Sequence, residues 1–337
     1  MSRASSWLNT TMLPIATYNI KALLEGSLSL IPGGIRLFRR GTRGSESARY
    51  CYSVWLRHLV RTQIYRRSPV DGVVVELGPG DSLGVGIAAL LSGASQYIAV
   101  DAVQHANTVH NLAVFDELVR LFLQRAPIPD HQEFPLVRPY LDSYAFPASI
   151  LDQTRLSRSL SPERIEAIRS AIQGERPGDG GTLVRYVDPV AAENLIKENS
   201  VEWVFSQAVL EHVDDLIAAY RACHAWLKPG FIMSHDIDFK SHGVSKEWNG
   251  HWVYPNMVWR LLRGGRPYLL NREPCSTHLD IMARTGFELL EVDRVRRPSR
   301  LRRDQLARRF RGIAEDDLTT ASAFVVARKP AGDGRGR

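Results

Sequence analysis

The stretch Val73–Asp101 constrains the fold more than any other part of the chain. Val73-Val74-Val75-Glu76-Leu77 is a short apolar, β-branched run, the composition of a parallel strand buried on both faces. Gly78-Pro79-Gly80 breaks it. Leu83–Leu91, rich in Ala, Leu and Ile, reads as a helix that Gly93 closes, and Tyr97–Val100 reads as a second strand ending at Asp101. Strand, glycine turn, helix and strand make one βαβ unit of roughly 30 residues. A chain built on such a unit is expected to continue as an open, mostly parallel sheet with helices on both faces.

The alternation lapses between Ala102 and Gly181, where Thr108–Gln124 and Pro162–Ile172 have helical periodicity and no strand is predicted. It resumes with strands at Thr182–Val187 and Val201–Phe205, and with a helix capped by Asp214 or Asp215 whose apolar stripe is Leu216, Ala219, Tyr220, Cys223 and Leu227. Phe231–Met233 opens a fifth strand, and Phe287–Val292 and Ala323–Ala327 are the last two. Upstream, a helix starts near Ser45 or Ser47 with the stripe Tyr52, Trp55, Leu56, Leu59, Val60 and Ile64. The expected organisation is an N-terminal helical extension over 1–68, a doubly wound domain over 69–329 with insertions at 102–181 and 238–272, and a disordered Gly/Arg tail over 330–337.

A chain of 337 residues can bury a sizeable core without staples. Cys51, Cys223 and Cys275 are far apart and form no CxxC pair, which argues against a disulfide framework or zinc cluster and for a reducing, cytoplasmic setting. Thr11–Phe38 leans apolar, but Lys21, Glu25, Pro32 and Arg36 interrupt it, so it is not a membrane span; peripheral contact with a membrane surface is the expectation left open. The net charge of +7 is concentrated at Arg36–Arg43 and over Arg294–Arg311. Such clusters suit anionic partners, or are simply a solvated helix face. No RNA-binding module or base pocket is recognisable, so nucleic acid is not the expected partner, and the oligomeric state is not legible.

In an open α/β sheet, ligands bind at the carboxyl ends of strands where the strand order reverses. Gly78 and Gly80 let backbone approach a ligand there, and Asp101 is placed to accept from ribose hydroxyls. A dinucleotide site would want a third glycine where Leu83 stands, and the acid Asp81 is ill suited to a pyrophosphate. The order of motifs resembles the class I S-adenosylmethionine-dependent methyltransferases: Glu76-Leu77-Gly78-Pro79-Gly80, then Asp101, then Val204–Val213 with its Leu210-Glu211-His212, then Leu227-Lys228-Pro229-Gly230, then Phe324–Pro330. That resemblance implies a Rossmann-like doubly wound sheet of seven strands and S-adenosyl-L-methionine as cofactor. It implies a cofactor site of Glu76, Gly78, Gly80, Asp81, Ser82, Asp101, Asp188 and Gln207, with Asp188 toward the adenine and Gln207 toward the methionine end.

Methyl transfer to a hydroxyl needs an aligned acceptor and a base for its proton. Ser234-His235-Asp236-Ile237-Asp238-Phe239-Lys240-Ser241-His242 leaves the fifth strand where such groups are wanted. Alternation puts His235 and Ile237 on one face and Asp236 and Asp238 on the other. The catalytic candidates are Asp238 and His242, then His235. Their spacing matches no specific metal motif, so no metal is expected. Trp248, His251, Trp252, Tyr254 and Trp259 would either stack on a sugar ring or hold a lid on the core. The Ser-His-Asp-Ile-Asp block with its aromatic insertion is similar to methyltransferases of bacterial sugar and surface-polysaccharide biosynthesis, which implies O-methylation of a sugar or glycan, a small-molecule or glycan acceptor; the alternatives are a lipid or secondary-metabolite acceptor, an RNA methyltransferase, or a cofactor-binding scaffold without catalysis.

Overall fold

The computed structural model describes residues 18–30, 45–66, 70–174, 183–266 and 269–331. Seven strands form one sheet: β1 Val73–Leu77, β2 Gln96–Val100, β3 Val184–Val187, β4 Val201–Gln207, β5 Leu227–Asp238, β6 Glu288–Arg296 and β7 Thr320–Arg328. Their order is β3-β2-β1-β4-β5-β7-β6. The pairs β1–β2, β1–β4, β2–β3 and β4–β5 are parallel, and β7 runs antiparallel to β5. The order reverses between β1 and β4, so the crevice expected from the sequence lies at the carboxyl ends of β1 and β4. The helices among the described residues are α1 Ile20–Ser29, α2 Ala48–Arg61, α3 Gly84–Leu91, α4 Thr108–Leu123, α5 Gln153–Ser159, α6 Pro162–Ile172, α7 Pro189–Leu195, α8 Leu216–Trp226, α9 Asn256–Arg263, α10 Cys275–Arg284 and α11 Glu315–Thr319. None is long and apolar enough to cross a membrane.

Two compact units divide the chain. The larger comprises Arg40–Asp238, Cys275–Val295 and Ser322–Arg337. Its core joins α2 to the sheet: Tyr52, Trp55, Leu56 and Leu59 are buried with Val74, Trp203 and Phe205. The helix begins where Ser47 accepts from the Tyr50 N–H, a side-chain cap on an otherwise unsatisfied donor. The extension expected over 1–68 does not form one unit by contacts: α1 falls in the smaller unit described below and α2 in the larger. Ile64 departs from the expected stripe because the helix ends at Arg61, and it is 80% exposed. The smaller unit comprises Met1–Arg39, Phe239–Pro274 and Arg296–Ala321. The second insertion thus has partners that its own sequence does not announce. Of the expected tail, residues 332–337 lie outside the described residues.

The arginine-rich stretch is not a helix face. It runs through short 3-10 turns at Arg303–Gln305 and Arg308–Phe310. Within the smaller unit, Arg296 pairs with Asp316, Arg302 with Asp304, Arg303 with Glu315 and Arg309 with Glu273. The three cysteines are free and buried, as expected; burial pushes the Cys51 thiol up to about 12.

Close approach of α3 to β2 depends on Gly86, where an added Cβ would come within 2.0 Å of the buried Tyr97 ring. Gly86→Ala is expected to lower stability by about 1–3 kcal/mol through overpacking, read as a reduced urea midpoint.

Candidate active site

The site begins with the glycine turn after β1. Gly78 and Gly80 have φ of +62° and +76°, the left-handed region that costs a side-chain-bearing residue energy. A Cβ on Gly78 would also come within 2.7 Å of both Val209 methyl groups. The Gly78 N–H donates to the Val100 carbonyl at 2.8 Å, and the Asp101 N–H to the Val187 carbonyl at 3.0 Å. The sheet register is thus carried past the strand ends, linking the tips of β1, β2 and β3. The Asp101 carboxylate accepts from the Val103 N–H at 3.2 Å and from the Gly80 amide, so the ribose candidate and the glycine turn are already in contact. Burial pushes Asp101 above the usual carboxylate range, opposed by these amides. A cavity of about 360 Å³ opens beside the loop after Asp101, lined by Leu83, Gln104, Asn107, Asn111 and Tyr186.

Glu76 is buried and points into the fold. Its Oε2 accepts from the Tyr97 hydroxyl at 2.5 Å, and the Gly86 amide also reaches it. Burial pushes its carboxyl up to about 8. It ties β1 to β2 through Tyr97 and to α3 through Gly86. Asp81 is half-buried in the turn itself. Ser82 is fully buried: its hydroxyl donates to the Ser45 carbonyl and accepts from the Gly84 N–H at 3.1 Å. Asp188 is exposed just past β3 and caps α7, with Oδ1 accepting from Val190 and Ala191 at 3.0 and 2.9 Å.

Gln207, at the end of β4, belongs to a buried hydrogen-bond chain that sequence reasoning missed. The Trp203 indole N–H donates to Ser234 Oγ at 2.9 Å. Ser234 Oγ lies 2.8 Å from His58 Nδ1, and His58 Nε2 lies 3.2 Å from Gln207 Oε1. Gln207 Nε2 donates to Asp236 Oδ2 at 2.7 Å. Gln207 Oε1 can only accept, so His58 donates from Nε2. As a neutral imidazole, His58 then accepts at Nδ1 from the Ser234 hydroxyl. Burial agrees, pushing His58 down to about 4. His58 was legible only as one more position on the buried face of α2.

The expected strand alternation holds. Asp236 faces Gln207, whereas His235 is fully buried on the other side. His235 Nδ1 lies 2.8 Å from Ser206 Oγ, and its ring stands beside that of Tyr220. Burial pushes it down to about 3, which makes it a neutral core group rather than a base open to an acceptor. Asp238 ends β5 and is half-buried. His242 belongs to the smaller unit, exposed and with φ of +46°. Glu211 is buried, and its carboxyl is held well above the usual range by burial first and the Asp238 charge second. The aromatic residues of the second insertion do not form an open platform: Trp248, Trp252, Tyr254 and Trp259 are all buried, in the core of the smaller unit.

Residues 154–233, from α5 into β5, match the family model named Methyltransferase domain. No curated protein matches the chain. Similar solved structures include an S-adenosylmethionine dependent methyltransferase from Mesorhizobium loti, at 14% identity, covering 81% of this chain and 97% of that one with a TM-score of 0.38. They include phosphoethanolamine N-methyltransferase 2 of Haemonchus contortus in complex with S-adenosyl-L-methionine, at 14% identity, 86% and 58% coverage and a TM-score of 0.39. Likenesses this distant assign no role to a residue. What the match shows is confined to residues 154–233, about a quarter of the chain, and the sheet order already described is that of an open, doubly wound fold.

Two outcomes test this geometry. A carboxyl whose folded pKa is raised binds its proton more tightly folded than unfolded. Glu76 therefore stabilises the fold fully below its ordinary value of 4.5, and that contribution is lost as pH rises through about 8. Glu76→Gln keeps a partner for Tyr97 and should flatten the fall in melting temperature over that window. Ser234→Ala strands both the Trp203 N–H and His58 Nδ1, and should cost about 1–3 kcal/mol for each in a urea titration.

Proposed function

We propose that the chain is an S-adenosylmethionine-dependent methyltransferase and that it methylates a hydroxyl of a sugar or glycan. The observation that carries an oxygen acceptor is the carboxylate-bearing end of β5. There Asp236 is fixed by Gln207 and Asp238 closes the strand. A hydroxyl becomes a competent nucleophile as its proton leaves, and a carboxylate at that strand end is the base it needs. The sugar reading is supported by the likeness of the Ser234–Asp238 block to enzymes of that biosynthesis.

The residues present fit the cofactor. The turn at Gly78 is a cradle that a Cβ would fill, and Asp101 stands at its rim. Gly78 and Gly80 would pass beside the methionine part, with Glu76 bracing the turn and Gln207 at the methionine end. Asp101 would accept from the ribose hydroxyls and Asp188 would face the adenine side. Asp81 lies in the same turn, and Ser82 serves it by holding Ser45 and capping α3. When bound, S-adenosylmethionine supplies a methyl group activated by a sulfonium. The chain's task is to align the acceptor oxygen, which supplies much of the rate, and to take its proton on Asp238. His242 is the second candidate for that proton.

Calorimetry with S-adenosylhomocysteine tests the cofactor roles. Saturable binding is expected for the wild type, with affinity roughly 10- to 100-fold weaker in Asp101→Ala, the worth of charge-assisted hydrogen bonds. Methyl transfer from labelled S-adenosylmethionine to a panel of sugars and glycans tests the acceptor. Asp238→Asn should lower turnover about 100-fold with cofactor affinity kept. Product methylated on nitrogen, or wild-type turnover in both Asp238→Asn and His242→Ala, would overturn the reading.

A further inference from the structure

Helix α1 packs the wrong way round for an ordinary core helix. Its buried residues are Ala22, Gly26 and Ser29, whereas Ile20, Leu24 and Leu28 stand 60, 59 and 48% exposed at i, i+4 and i+8. Its partner within the same unit is α9, and the crossing is close. A Cβ on Gly26 would come within 2.3 Å of the Leu261 carbonyl oxygen. Ser29 Oγ accepts from the Gly265 N–H at 2.9 Å, and Arg266 pairs with Glu25 at 3.4 Å. Rolling α1 to hide its leucines would drive them into this crossing, where only small residues fit. The outward stripe is therefore imposed by the fold.

The second helix continues the stripe. On α9, Met257 is 79% and Leu261 52% exposed, with the exposed Arg260 on the same face. Lys21 is exposed beside Ile20 and Leu24. The charges fit one kind of partner. Glu25, the one acid on α1, is held by Arg266. The sequence after α1 carries Arg36, Arg39, Arg40 and Arg43 and no acid before Glu46. Apolar side chains framed by cations match a lipid surface with anionic headgroups. A second copy of this chain would bring the same positive charges face to face.

We propose that the exposed apolar stripe of α1 and α9, with Lys21 and Arg260, docks this enzyme on an anionic lipid surface. The proposal is independent of the acceptor and of the catalytic roles above. Sedimentation of the full chain with phosphatidylcholine vesicles, with and without phosphatidylserine, tests it. Wild type should pellet with the anionic vesicles, and binding should fall roughly tenfold in Leu24→Glu/Leu28→Glu and on raising salt. Arg260→Glu, a surface change that leaves the helix crossing untouched, should weaken binding to the anionic vesicles with an unchanged melting curve. Failure of wild type to pellet with anionic vesicles, equal pelleting with neutral ones, or equal pelleting of the double variant would each overturn the proposal. So would light scattering that shows an oligomer in solution which Leu24→Glu/Leu28→Glu converts to monomer.

Discussion

The side-chain oxygen of Gln207 can only accept, and that makes His58 the donor at the centre of a chain of hydrogen bonds running from Trp203 to Asp236. The chain of bonds crosses three elements: β4 supplies Trp203 and Gln207, β5 supplies Ser234 and Asp236, and α2 supplies His58. The Trp203–Ser234 and Ser234–His58 links are buried, so each is costly to leave unmade. Ring contacts of Trp55 with Trp203 and Phe205 hold α2 against the same face of the sheet. Asp236 is thus tied to α2 through Gln207.

The glycine turn works by a different economy. Its backbone is bent at Gly78 and Gly80, and its one buried acid, Glu76, is turned away toward Tyr97. Asp101 is left as the carboxylate that meets the turn from the next strand. Both acids are pushed upward by burial, and in each the hydrogen bonds it accepts oppose that shift. For Glu76 the donors are the Tyr97 hydroxyl and the Gly86 amide. Asp101 is bonded by backbone amides, which favour its charged form.

Most of the sheet was legible because strand signals are local. Val73–Leu77, Tyr97–Val100 and Val201–Phe205 announce themselves by composition, and the structure moves their ends by at most a few residues. Asp215 as a cap and Pro162 as a helix start were equally local. What the sequence hid was pairing at long range. His58 lies 176 positions from Ser234, and nothing in α2 marks it as different from its apolar neighbours. The tryptophans of the second insertion looked available for a ligand because their partners, such as Leu306 and Phe310, are contributed by another segment. Ile64 misled for the opposite reason: the apolar period ran on after the helix had stopped at Arg61.

The smaller unit draws on three separated stretches of chain, and that has a consequence for its birth. Ser29 ends α1, but α9 begins at Asn256. At ribosomal speeds of about 5–20 residues per second, α1 waits tens of seconds before its mate emerges. During that interval the small-residue face and the leucine face are both bare. The larger unit is largely synthesised before α1 meets α9, its packing partner in the protein.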